Sequence, residues 1–173
     1  MARIPYPDIA ADPAVTALAQ QITAERGGRM LNLYRMLLHS PPFARGWLNF
    51  FTAVRQQGLL DARYRELAIL RIAVLNRADY EFAQHVPFAS KAGLTDAQID
   101  AVKTGPQSPH FDARDRAVLA YAETMTRDIE VPDALFDEVR TQFGEREVVE
   151  LSVTVAGYNL VSRFLVALRI DHD

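Results

Sequence analysis

Arg65–Gly93 reads RELAILRIAVLNRADYEFAQHVPFASKAG, and this stretch decides the fold. From Glu66 to Leu75 the residues are apolar on nearly every face, the pattern of a helix buried all round. Asn76–Asp79 supplies a short break, and a second helix follows that carries Glu81 and His85. Residues four apart share one face of a helix, so this carboxylate and imidazole can touch. The sequence puts Glu66 in the first turn of the preceding helix, where a polar side chain in so apolar a run needs a partner or a pocket. Two carboxylates and an imidazole at one helix–helix junction are the groups needed for proton transfer.

Outward from this junction the chain reads as helical throughout. Asp12-Pro13 caps and opens a helix that Gly27-Gly28 ends. Met30–His39 is a short apolar helix closed by Ser40-Pro41-Pro42, and Ser40 is expected to cap a helix through Trp47, Phe50, Phe51 and Val54 that stops at Gly58. Asp61 caps the Glu66 helix, and Thr95 with Gln98 forms a capping box opening Asp96–Lys103. Asp112 starts Ala113–Arg127, Pro132 starts a helix to Phe143, and Glu145–Leu168 is the longest. Valine and isoleucine fall at helical rather than alternating spacing, and no hairpin dipeptide occurs, so the expected class is all-α with about eight helices. Gly105–His110 (GPQSPH) is the best candidate for an internal linker, but six residues are an ordinary helix–helix connection. The expectation is one domain over residues 1–173. Glu66-Leu67 with Asn76, and Glu150-Leu151 with Asn159, hint at a duplicated helical pair.

The composition bounds the function classes. A 173-residue chain can bury roughly 70% of its unfolded surface, and 49% hydrophobic with 24% charged residues is ordinary for a globular protein. A net charge of −3 and scattered arginines give no footprint for nucleic acid or a membrane surface. No cysteine is present, so this polypeptide offers no disulfide, thiolate ligand or thiol nucleophile. No signal peptide is read at MARIPYPDIAADPAV, and no apolar run approaches the roughly 20 residues of a membrane span. The expected location is cytoplasmic.

For Glu81 and His85 the structural alternative is a half-buried ion pair; for Glu66 it is a favourable place near a helix N-terminus. Arg71, five residues after Glu66, lies off its face and is not an obvious partner. A carboxylate–histidine metal site is not expected, because paired-helix di-iron sites use Glu-x2-His twice and this chain has Glu-x3-His once. Pro87 removes a backbone donor two residues after His85, either widening a pocket or letting the helix wrap the core. Trp47, Phe50 and Phe51 read as a core or oligomer face. Tyr158, Asn159 and Arg163 are polar groups in the apolar last helix, with packing as one reading and a carboxylate-binding Arg163 as the other.

The spacing also resembles that of the AhpD-like/carboxymuconolactone decarboxylase superfamily, whose redox members use Glu-x11-Cys-x2-Cys-x3-His. Counting from Glu66 places the cysteine positions on Ala78 and Glu81 and the histidine on His85: glutamate and histidine are kept, and both cysteines are absent. Tyr80–Ile99, YEFAQHVPFASKAGLTDAQI, is similar to the family's YEWxxHxxxAxxxGLTxxxI. The resemblance implies an all-helical AhpD-like bundle and a homotrimer or homohexamer. It also implies either decarboxylation of a lactone acid in aromatic-compound catabolism or peroxiredoxin-type thiol chemistry. Without cysteine the thiol route has no nucleophile. The expected function is cofactor-free acid–base chemistry, a decarboxylation or related lyase or isomerase step, on a small carboxylated cyclic compound. His85 is the expected proton donor, Glu81 its orienting partner, Glu66 a second acid/base, and Tyr80 and Arg163 substrate-binding residues. A non-catalytic helical oligomer is the alternative.

Overall fold

Helix α4 (Ala62–Leu75) is the axis of the fold in the computed structural model of residues 1–173. Asp61 caps it by accepting from the Arg63 N–H, and every residue from Glu66 to Ala73 is buried. It packs against α5 (Asp79–Lys91), α7 (Ala113–Arg127) and α9 (Glu145–Leu168), so no face of it can be polar without a partner. Around this centre lie α1 (Pro13–Glu25), α2 (Asn32–Leu37), α3 (Pro41–Gln56), α6 (Asp96–Ala101) and α8 (Asp133–Gln142), with a 3-10 turn at Ile9–Ala11. The chain is all-α, with nine α-helices and no strand. One core cluster of 39 buried residues extends from Val15 to Ile170.

The α4–α5 turn sets the register of the site. The Ala78 N–H donates to the Ala73 carbonyl and the Arg77 N–H to the Val74 carbonyl, the paired bonds of a Schellman motif. Arg77 takes the left-handed conformation this motif needs, at φ 55°. The chain thereby reverses and lays α5 back along α4.

Several local expectations are corrected. Glu66 lies in the second turn of α4, because Asp61 caps the helix and no acidic residue falls in its first turn. Ser40 makes no side-chain cap; Pro41 begins α3 instead. The Met30–His39 helix is trimmed to Asn32–Leu37, and its Asn32 N–H is capped from afar by Asp173 at 2.6 Å. Helix α9, at 24 residues, is long and apolar enough to cross a membrane by length and composition, although Asn159, Ser162 and Arg163 leave it without an uninterrupted apolar run of that length. Half of its apolar window is buried in the protein, where Leu151, Val155 and Leu165 join the core.

Polar cross-links tie distant segments to α4. Asn76 donates to Asn159 at 2.8 Å, so the two asparagines of the suspected repeat meet directly. Arg71 reaches Glu123 on α7 at 2.6 Å and the carbonyls of Val102 and Lys103 at 2.8 and 3.0 Å. The residues just before the candidate linker are thus pinned to the central helix.

Candidate active site

Glu66, His85 and Glu81 are brought together as a linear array. The His85 imidazole lies between two carboxylates, with Nδ1 2.6 Å from Glu66 Oε2 and Nε2 3.0 Å from Glu81 Oε1. The second contact follows from the i, i+4 spacing on α5. The first is tertiary, made by the antiparallel packing of α5 on α4. The three residues are only 3%, 4% and 5% exposed for Glu66, His85 and Glu81, so these contacts act with little solvent screening. Glu66 is held a second time by Arg65 Nε at 3.4 Å from Oε1.

The electrostatics favour a charged ring. Burial works against the imidazolium, but the Glu81 charge and the hydrogen bonds to Glu66 and Glu81 outweigh it and hold His85 at about 9. Burial likewise pushes Glu66 up, yet the hydrogen bond and charge of His85, with Arg65 and Arg55 beyond, hold its carboxyl below the ordinary value. The imidazolium separates the two acids and stabilises the Glu66 anion.

A cavity of about 420 Å³ opens beside this array, within the range of small-molecule sites. Glu81 and His85 line it, and Glu66 does not, so Glu66 supports the ring from behind. Its walls come from the end of α1, from α3, α5 and α9, and from the segment between α1 and α2. They include Trp47, Phe51, Phe88 and Tyr158 as apolar surface and Arg26, Arg29 and Arg55 as cations. Pro87 lies inside an unbroken α5 and forms part of the wall beside His85.

Tyr80 lines the cavity, with its hydroxyl donated to the Asp173 carboxylate at 2.5 Å. Arg163 does not line it; the side chain is exposed on α9, and the cationic wall comes from α3 and the segment between α1 and α2 instead. Arg55, which the sequence left unassigned, and Tyr158, read only as a polar packing group of the last helix, also line the cavity. Trp47 and Phe51, read as core or oligomer surface, serve the cavity as well as the core. No group of three or more His, Cys, Asp or Glu side chains is arranged to hold a metal ion, since Glu66 and Glu81 face opposite edges of one imidazole.

Comparison with known proteins gives the site its setting. Residues 41–124, from the start of α3 to near the end of α7, match the carboxymuconolactone decarboxylase family model, a span that contains Glu66, Glu81 and His85. ATU0492 of Agrobacterium tumefaciens, a protein of unknown function linked by name to AhpD, is similar with 25% identity and a TM-score of 0.74, over 79% of this chain and 94% of that one. The alkylhydroperoxidase AhpD core of a peroxidase-related protein from Ralstonia eutropha JMP134 shares the fold with a TM-score of 0.85 and 21% identity, over 99% and 92%. The debrominase Bmp8, solved in a cysteine-to-alanine form with 2,3,4-tribromopyrrole, shares it with a TM-score of 0.82 and 14% identity, over 100% and 94%. Residues 41–124 thus match the carboxymuconolactone decarboxylase family model, the chain shares its fold with AhpD-like structures, and a chain without cysteine has no counterpart of the redox cysteine pair.

Proposed function

We propose that the chain is a carboxymuconolactone decarboxylase-like enzyme that performs cofactor-free acid–base chemistry on a small, carboxylated, cyclic compound. The observation that carries this reading is the junction of a buried Glu66–His85–Glu81 array with an open cavity walled by aromatic and cationic side chains. Glu66 holds Nδ1, fixing the ring and its charge. His85 stores the proton, and Glu81, which shares the Nε2 proton and lines the cavity, delivers it.

In a vinylogous β-keto acid the bond to the carboxylate carbon breaks and carbon dioxide leaves. The electron pair moves through the conjugated system onto the carbonyl oxygen, giving a dienolate. Its carbon takes a proton from the His85–Glu81 pair, and solvent reprotonates the pair. One proton is consumed for each carbon dioxide released. A thiol peroxidase cycle has no nucleophile in this polypeptide.

One observation favours the alternative of a non-catalytic helical protein: both nitrogens of His85 are already bonded within the fold, as in a structural ion pair. The two readings part in a screen of γ-lactone carboxylic acids and cyclic β-keto acids in deuterated buffer. The enzyme reading expects carbon dioxide release above the buffer rate with one deuterium in the product. Background rates across the screen would favour the structural alternative.

A further inference from the structure

We infer that Arg55 and Tyr158 form a two-point clamp in the cavity, Arg55 for a carboxylate and Tyr158 for the carbonyl oxygen of the same small cyclic acid. This deepens the acid–base reading above, on which the fate of that oxygen rests.

Arg55 is half-buried on α3 and lines the cavity. Its Cζ sits 5.0 Å from the centre of the Phe88 ring, a cation–π contact that orients the guanidinium without using its N–H donors. It makes no ion pair and no hydrogen bond within the fold. Of the neighbouring cations, Arg26 is committed to the Tyr34 hydroxyl, the Thr52 hydroxyl and the Leu48 carbonyl, Arg65 is paired with Glu66, and Arg29, also unpaired, is exposed with no ring to orient it. The one acid of the wall besides Glu81 is Glu25, which accepts from Thr52 and Gln21 rather than from Arg55. Arg55 is therefore a positioned fork of donors with no acceptor, beside a cavity.

Tyr158 shows the same feature with an oxygen. The ring is 2% exposed and fixed edge-on against His85 at 5.1 Å and Phe51 at 5.5 Å. Buried hydroxyls are normally hydrogen-bonded. Tyr34, Tyr80 and Tyr121, the other buried tyrosines, obey this through Arg26, Asp173 and Ser152. The Tyr158 hydroxyl has no such partner, and the residue lines the cavity. Burial pushes its phenol far above the ordinary value, so it stays a neutral donor.

The two groups act at different stages. Charge on a substrate carboxylate is present from the start, so Arg55 contributes to binding. Charge on the carbonyl oxygen appears only as carbon dioxide leaves, so a preorganised Tyr158 O–H stabilises the dienolate as it forms.

Calorimetric titration of the whole chain with three stable probes tests the assignment. The probes are 5-oxotetrahydrofuran-2-carboxylate, tetrahydrofuran-2-carboxylate (no carbonyl) and γ-butyrolactone (no carboxylate). Arg55→Met should weaken both acids about tenfold or more and spare the neutral lactone, with partial rescue in Arg55→Lys. Tyr158→Phe should weaken the lactone acid about three- to tenfold and spare the acid that lacks the carbonyl. Unchanged binding of the lactone acid in both variants, equal loss of all three probes, or no binding of the lactone acid to the unsubstituted protein would overturn the clamp. Failure of the acid–base reading looks different: no acid in the screen is turned over, while this pattern of binding losses remains.

Discussion

His85 and Glu66 stand 19 positions apart in the chain and 2.6 Å apart in the fold, Nδ1 against Oε2. The contact depends on the Schellman turn at Arg77–Ala78, which returns α5 along α4 in the register that brings this one polar pair together inside an apolar interface. Glu81 then completes the array from one helical turn away. A buried imidazolium between two carboxylates has direct consequences for stability.

The first is pH dependence. His85 is raised from 6.5 to about 9, so its contribution to stability is complete below about 6.5 and is lost as pH rises through about 9. Glu66 is displaced downward from 4.5, so its contribution is present above that value and is lost as pH falls through its lowered value. The difference in Tm between the parent protein and His85→Gln should shrink from pH 7 to pH 10. An NMR titration should show the His85 ring charged at neutral pH. A Tm difference that is constant across this range, or a ring that titrates near 6.5, contradicts the account.

Glu66→Gln should cost about 3 kcal/mol in urea unfolding, because removing one partner of a buried pair leaves the other charge undercompensated. The same substitution should lower the His85 pKa. A loss below about 1 kcal/mol would mean that Glu81 alone suffices to hold the ring.

Gly105→Ala should destabilise by about 1–3 kcal/mol. Gly105 has φ +94°, and an added Cβ would lie 2.6 Å from Arg71 Nη2. The guanidinium cannot move aside cheaply, since Glu123 and the carbonyls of Val102 and Lys103 hold it. Thermal unfolding checks this, and an unchanged Tm contradicts it.

The chain is also expected to assemble as a homotrimer or homohexamer. Val149, Val153, Leu160 and Val166 are exposed along α9, with Phe50 and Leu59 exposed elsewhere, and such apolar surface is uncommon on a monomer. Light scattering at micromolar concentration should give a multiple of 19.4 kDa, reduced towards one chain in Val153→Glu/Leu160→Glu. A single-chain mass for the parent protein counts against it.

The sequence carried the helices and the three residues of the array further than it carried the cavity. Asp12, Asp61, Thr95 and Asp112 cap where their identities suggest, because capping is a local interaction. Glu81 and His85 were legible from helical spacing, and Glu66 from the cost of an acid in an apolar run. Arg71 was read only as no partner for Glu66; the acid it does pair with, Glu123, is 52 residues away and has no local signal. Arg55 carried no signal and Tyr158 only that of a polar group in an apolar helix, since the facing partner of each is set only by tertiary packing. Arg163 was singled out as a polar group in the apolar last helix, but the rotation of α9 leaves it exposed.

The most direct test of the central claim is the rate of carbon dioxide release by the parent protein, His85→Ala, Glu81→Gln and the double variant, on the best acid from the screen. If the pair works as one proton-delivery unit, each single substitution lowers kcat about 100-fold or more and the double loses little further. Parental turnover in His85→Ala, or fully additive losses in the double variant, would contradict it.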